Sequence, residues 1–228
     1  MIPKLIHYIW LGSNDLSALN QKCIDSWEKK LPGYKICFWN EVEISNVFKE
    51  EELIFYHEML NNKKYAFAAD YVRCLVLEKY GGIYLDTDVE VLKDFSPLLN
   101  NSSFLGLEDI NKPNCAILGS EKNSKFISDL KKEVERSKGL VEIQIVAFNV
   151  LIRVYKKDMN FVSPCIINDV AVYPEEFFYP YNPYKSNSIG QLLFSDVTSE
   201  TYAIHHWAKT WNLTYMERLV RFIKRKFI

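Results

Sequence analysis

The sequence predicts an α/β domain, and three observations carry that expectation. The chain opens as strand, helix, strand; a greasy helix ended by Gly-Gly runs straight into a β-rich stretch; and 228 residues with 48% apolar and 25% charged side chains have the length and balance of one soluble globular core.

Residues 4–11, Lys-Leu-Ile-His-Tyr-Ile-Trp-Leu, read as a buried strand ended by Gly12-Ser-Asn-Asp15, where turn formers replace apolar residues. Helical spacing follows from Leu19 to Lys30, with Ile24, Trp27 and Leu31 on one side, until Pro32-Gly33 stops it before a second strand, Tyr34 to Trp39. After a polar helical stretch, Tyr65 to Lys79 is apolar nearly all the way round, the pattern of a buried helix. Tyr80-Gly81-Gly82 breaks it, and Ile83 to Leu92 follows as a β-rich run. Further on, Cys115 to Leu118 reads as a strand, Lys125 to Lys138 as a charged surface helix and Val141 to Tyr155 as an apolar helix. The three prolines between Tyr173 and Tyr184 forbid a long helix or central strand and predict an aromatic loop, which either offers a stacking platform to a ligand or caps the core.

Lysine plus arginine (28) nearly balance aspartate plus glutamate (29), so no overall field draws the protein to nucleic acid. The five scattered cysteines form no C-x-x-C pair and argue for a reducing compartment. The apolar run at the N-terminus is too short for a secretory core, and no stretch reaches the ~20 apolar residues of a membrane helix, so the expected location is cytoplasmic. The basic, apolar-interleaved segment Met216 to Ile228 reads as an amphipathic helix suited to an anionic membrane surface on the inner face of the plasma membrane, or as an ordinary terminal helix. The expected division is a catalytic domain over 1–214 and this helix over 215–228.

The chemistry centres on Asp86-Thr87-Asp88. If Ile83 to Leu92 is one strand, alternation puts Asp86, Asp88 and Glu90 on one face and the apolar residues on the other. Neighbouring carboxylates repel and are costly to desolvate, and a hard divalent cation removes that penalty. Oxygen ligands suit magnesium or manganese, which complete their shells with water and substrate phosphates. On the preceding helix, Asp70 and Arg73 share a face with Ala66 and Leu77. They either satisfy each other or hold a ligand, Asp70 by accepting from sugar hydroxyls and Arg73 by donating to a hydroxyl or phosphate.

The run Ala69-Asp70-x-x-Arg73-x-x-x-Leu77-x-x-x-Gly81-Gly82-x-Tyr84-x-Asp86-x-Asp88 resembles the signature of the D-x-D sugar transferases of glycosyltransferase family 32, and the same pattern recurs in the clostridial glucosylating toxins. The opening strand Ile2 to Trp10 and the closing segment Ala203-Ile-His-His-Trp207-x-x-Thr210-Trp211 also look like that family's, whereas roughly residues 100 to 200 match only loosely. The resemblance implies a GT-A type, Rossmann-like nucleotide-diphospho-sugar transferase fold, a single domain with helical additions. It implies retaining transfer of a hexose from a nucleotide-diphosphate donor, with UDP-hexose preferred, to a glycan or lipid-linked saccharide acceptor in surface polysaccharide synthesis. By the same resemblance Asp88 binds Mn²⁺ or Mg²⁺ directly, Asp86 touches ribose or metal, Asp70 and Arg73 hold the transferred sugar, and Tyr84 belongs to the donor site. Trp10 then packs near the base, and Thr210 and Trp211 close over the diphosphate. Imidazole is a third ligand of suitable chemistry, and His205 is favoured over His206, which alternation sends to the opposite face.

Two other readings compete. Phosphatases of the haloacid-dehalogenase type also end an apolar strand in D-x-D, but that pattern wants Thr or Val where Glu90 sits and usually opens the domain. A non-catalytic, metal-dependent nucleotide-sugar binding protein would keep the same residues without turnover.

Overall fold

The opening strand, β1 (Leu5–Ile9), lies between two parallel neighbours, β2 (Lys35–Trp39) and β3 (Gly82–Leu85), in a computed structural model that describes residues 1–155, 164–185 and 188–208. Helix α1 (Ala18–Lys30) makes the crossover from β1 to β2, and its N-terminus is held by Ser17 and Asn20, whose side chains reciprocally satisfy the first-turn amides. Helices α2 (Glu41–Val47), α3 (Ile54–Asn61) and α4 (Tyr65–Tyr80) connect β2 to β3.

Beyond β3 the chain turns into β4 (Val89–Val91), and the larger sheet is completed by β5 (Ser103–Asp109), β6 (Lys112–Ser120), β7 (Cys165–Ile167) and β8 (Val170–Tyr173). Its strand order is β2-β1-β3-β6-β5-β8-β7, with β6 antiparallel to both neighbours. Between β6 and β7 lie α5 (Lys125–Arg136) and α6 (Ile143–Asn149), and a short α7 (Glu175–Phe178) follows β8. Finally β9 (Ala203–His205) returns to pair antiparallel with β4 as a separate two-stranded sheet. This is a mixed α/β domain of the GT-A, Rossmann-like type.

Period-two alternation along the strands sorts their side chains to two cores. Tyr84, Leu105, Leu107 and Leu118 face the core beneath α3, α4, α5 and α6; Ile6, Ile83, Leu85 and Ile117 face the one shared with α1, β4, β9 and α7. Three expectations are revised here. Ile83 to Leu92 is two strands of different sheets, not one. The apolar stretch 141–155 is α6 followed by a wider-pitch turn over Val150–Val154, and the aromatic segment after Tyr173 contains α7, whose Phe178 and the following Tyr179 are fully buried. Among the described residues, no helix is long and apolar enough to cross a membrane.

The junction from α4 to β3 needs glycine. Gly82 has φ +106°, and a Cβ there would lie 2.8 Å from the Leu5 carbonyl oxygen, so β3 can enter beside β1 only without a side chain. His7 seals the same junction. Its Nε2–H donates to the Gly81 carbonyl at 2.9 Å while Nδ1 accepts from the Trp39 indole at 3.1 Å, an arrangement that demands a neutral ring. Burial, opposed by the Gly81 bond, brings its pKa down to about 4 from about 6.5. The sign follows from linkage: the unfolded chain binds the proton first, so stability present above pH 6.5 is lost as pH falls toward 4, by about 3 kcal/mol for this ring. Urea unfolding between pH 7.5 and 4.5 should show that loss, and His7→Gln, which cannot titrate, should have a flatter profile.

Candidate metal and donor site

The carboxyl ends of the parallel strands β1 and β3 open into one cleft of about 890 Å³, the place where open α/β sheets receive ligands. Trp10, Asp70, Arg73, Tyr84, Asp86, Asp88 and His205 all line it. Thr210, Trp211 and the basic segment 215–228 lie outside the described residues.

Asp86 and Asp88 meet for a reason other than strand alternation. β3 ends at Leu85, and Asp86-Thr87-Asp88 forms a turn, closed by the Val89 amide donating to the Asp86 carbonyl at 3.1 Å. The Asp86 amide is pinned to the Ala116 carbonyl of β6 at 2.8 Å, and Thr87 is buried, accepting from the Asn20 side chain at 2.9 Å. A turn can present both acids to the cleft while its central residue anchors it from behind. Glu90, expected on the same face, instead sits on β4 and pairs with His206 at 2.8 Å.

The β4–β9 ladder delivers the third group. Register pairs Val89 with His205, and His205 Nε2 lies 3.3 Å from Asp88 Oδ1, both side chains buried. The other Asp88 oxygen accepts from the Ala208 amide at 2.7 Å, tying the segment after β9 to the turn. Asp86, Asp88 and His205 each offer one ligand atom, all within 4.8 Å of one another. Burial alone would neutralise Asp88, but the charge and hydrogen bond of His205 hold its pKa below the usual carboxylate value. Burial likewise opposes charge on His205, and the adjoining Asp88 raises its pKa above that of free imidazole. Without a cation the two therefore stabilise each other as an ion pair.

Two carboxylates and an imidazole suit a divalent cation of the hard-to-borderline kind. His205 Nε2 is the ring atom that faces the acids and would meet such an ion, while Nδ1 is buried without a hydrogen-bond partner among the described residues. The donor set thus fits the ion, and alternation resolves the histidine pair: His205 faces the acids of the turn, His206 faces Glu90.

Arg73 forms the second half of the site. Its guanidinium donates to Asp70 at 2.9 Å, to Asp86 at 3.3 Å and to the Cys115 carbonyl at 2.6 Å, with the Tyr84 ring 4.1 Å from its carbon. The Cys115 carbonyl is reachable because the β5–β6 register jumps from Leu118 to Asn114, leaving residues 115–117 without β5 partners. Tyr84 donates to Asp86 at 2.7 Å. Burial works against the Arg73 charge, but Tyr84, Asp86 and Asp70 more than offset it; burial lifts Asp70 above the ordinary carboxylate range against the pull of Arg73. The Asp70–Arg73 pair is therefore both bonded to itself and turned into the cleft, linking α4 to the turn, while Arg73 Nε is buried without a hydrogen-bond partner among the described residues. Trp10 stands at the β1 side of the cleft, its indole donating to the Asn14 carbonyl at 2.6 Å.

Sequence reasoning did not find Glu108, Asn114, Glu142 or Tyr184, which also line the cleft. They come from β5, β6, the residue before α6 and the segment after α7, and no spacing in the sequence links them to the D-x-D turn.

Residues 17–105 match the family model described as "Glycosyltransferase sugar-binding region containing DXD motif", a span that holds Asp70, Arg73, Asp86 and Asp88. The uncharacterized glycosyltransferase L373 of Acanthamoeba polyphaga mimivirus is 36% identical over 47% of this chain and 41% of its own length. The lactosylceramide 4-alpha-galactosyltransferase of Mus musculus is 32% identical over 65% of this chain and 43% of its own length. The chain thus spans less than half the length of these curated relatives. Among solved structures, the PaToxG glycosyltransferase shares the fold with a TM-score of 0.57 and 22% identity over 68% of this chain and 70% of that one.

Proposed function

We propose that this chain is the catalytic unit of a metal-dependent glycosyltransferase of the D-x-D type, transferring a hexose from a nucleotide-diphosphate donor to a hydroxyl of a glycan or lipid-linked saccharide. The observation that carries this reading is the convergence of Asp86, Asp88 and His205 within 4.8 Å, beside the Asp70–Arg73 pair, at the carboxyl ends of parallel strands. The relatives' printed activities support a sugar-transfer reaction, and one of them names a glycolipid product or substrate.

Asp86, Asp88 and His205 would hold the cation, which supplies charge neutralisation for the diphosphate as it leaves. The imidazole ligand favours Mn²⁺ over Mg²⁺, which prefers oxygen alone. Trp10 stacks near the base at the β1 side, while Asp70 accepts from hydroxyls of the transferred hexose and Arg73 donates to the donor. The bond from the anomeric carbon to the β-phosphate oxygen breaks, a bond to the acceptor oxygen forms, and the acceptor proton passes to the departing phosphate oxygen. Attack from the leaving-group side gives retention. UDP-hexose is the preferred donor.

The test is incubation with Mn²⁺ and a panel of nucleotide sugars, followed by detection of free nucleoside diphosphate. Release is expected with one donor class, and EDTA should reduce it by at least about 100-fold, with Mn²⁺ restoring it above Mg²⁺. Nucleotide-sugar binding without release, even with acceptors added, would mark a binding protein instead. Phosphate release from monoesters would mark a phosphatase.

A further inference from the structure

Among the described residues five carboxylates line the cleft, and the proposed transfer employs Asp70, Asp86 and Asp88. Of the other two, Glu108 is held in place by a dedicated buried network. The β5–β6 register passes from Leu107 to Asp109 and skips Glu108, an irregularity that turns its side chain out of the ladder. Asn114, buried on β6, donates from Nδ2 to the Glu108 carboxylate at 2.5 Å. That amide cannot be flipped, because its Oδ1 already accepts from the Ala116 amide at 2.7 Å and from the Tyr179 hydroxyl at 3.2 Å. Tyr179 is fixed in turn by the Ile117 amide at 3.3 Å, and Asn182 donates to the Glu108 backbone carbonyl at 3.2 Å.

Position in the sheet says which substrate Glu108 meets. Across β1-β3-β6-β5 the cleft presents Trp10, then Asp86, then Asn114, then Glu108. With the base at β1 and the diphosphate at β3, the donor's sugar and its acceptor lie toward β5. Glu108 is near enough for its charge to help raise His205, so it borders the metal cluster without belonging to it. Burial lifts its own pKa above the ordinary carboxylate value against the pull of Asn114, His205 and Lys112, with the charge of Glu142 adding to the rise. A carboxylate has about four acceptor sites, and Asn114 occupies one.

We propose that Glu108 recognises the acceptor: its carboxylate accepts hydrogen bonds from hydroxyls of a neutral or amine-bearing saccharide, and its charge, with that of Glu142 beside it, turns away saccharides bearing an anionic group. This rests on the transferase reading above. Asn114 holds the Glu108 carboxylate in place through its Nδ2.

The experiment measures transfer kinetics with Mn²⁺ and the nucleotide sugar chosen by the donor panel. The acceptor probes are methyl hexosides, methyl hexosaminides and methyl hexuronides. Wild type should use the first or second class and discriminate against the third. Glu108→Gln should raise KM for the accepted glycosides by about 10- to 100-fold and narrow the discrimination against hexuronides. Its calorimetric Kd for the nucleoside diphosphate with Mn²⁺ should stay within about twofold. Unchanged KM on every glycoside the wild type uses overturns the assignment, as does a parallel loss of nucleotide affinity. So does a wild type that binds Mn²⁺ and nucleotide but uses none of the glycosides. If Glu108→Gln does not fold, Glu108→Asp, which keeps the charge and shortens the reach, is read on the same axes; two unfolded variants make the residue structural and end the proposal. Wild type that binds no nucleotide with Mn²⁺ instead refutes the transferase reading, and this proposal falls with it.

Discussion

Asp88→Asn should lower metal-dependent transfer by roughly 100- to 1000-fold while the protein stays folded. Asp88 is the member of the cluster least committed to other partners by charge. Asp86 is already engaged by Arg73 at 3.3 Å and by the Tyr84 hydroxyl at 2.7 Å, whereas Asp88 faces His205 and one backbone amide. An asparagine oxygen can still accept from the Ala208 amide, so the turn and the end of β9 keep their tie. What it lacks is the second anionic oxygen, and with it the charge that would hold a cation between turn and diphosphate. Mn²⁺ titration by electron paramagnetic resonance should show weakened binding, and circular dichroism should show an intact fold. An unfolded variant would make Asp88 a structural residue, and unaltered Mn²⁺ affinity would remove it from the ligand set.

Arg73→Ala should destabilise the fold by about 3–5 kcal/mol, because it strands the partly buried Asp70 and Asp86 carboxylates without their shared, buried cation. The Cys115 carbonyl loses its donor as well, and the Tyr84 ring loses the guanidinium against its face. Urea unfolding measures the loss. Adding Asp70→Asn to Arg73→Ala should recover part of it, since the penalty arises chiefly from the uncompensated acid; purely additive losses would mean the pair is not coupled. Arg73→Lys should not restore the native value, because one ammonium cannot reproduce a fork that reaches Asp70, Asp86 and Cys115 together.

Much of the donor site was legible in the sequence because it is local. Asp70 and Arg73 sit one helical turn apart on α4, Gly81-Gly82 must follow to let β3 pass the Leu5 carbonyl, and Asp86 and Asp88 come at the end of that same strand. Helix period, glycine geometry and carboxylate repulsion each act within twenty residues. The error lay where a local rule was carried one step too far. Strand alternation stops at Asp86, the last residue bonded to β6, because the Val89 amide donates to the Asp86 carbonyl and closes a turn there, and Glu90 pairs with His206.

Sequence by itself determined the α/β class, the buried α4, the Gly-Gly junction and the acid pair, because each depends on residues near in the chain whose sterics and charge admit few arrangements. His205 was already favoured by the resemblance, but only the tertiary structure decided how it reaches the acids, through the antiparallel ladder that joins Val89 to a residue far along the chain. The same holds for Glu108, whose aim depends on a skipped register and on Asn114 and Tyr179 from two other elements. Long-range pairing and bulges are settled by what packs against a strand, and that information is spread over the whole chain rather than written beside the residue it positions.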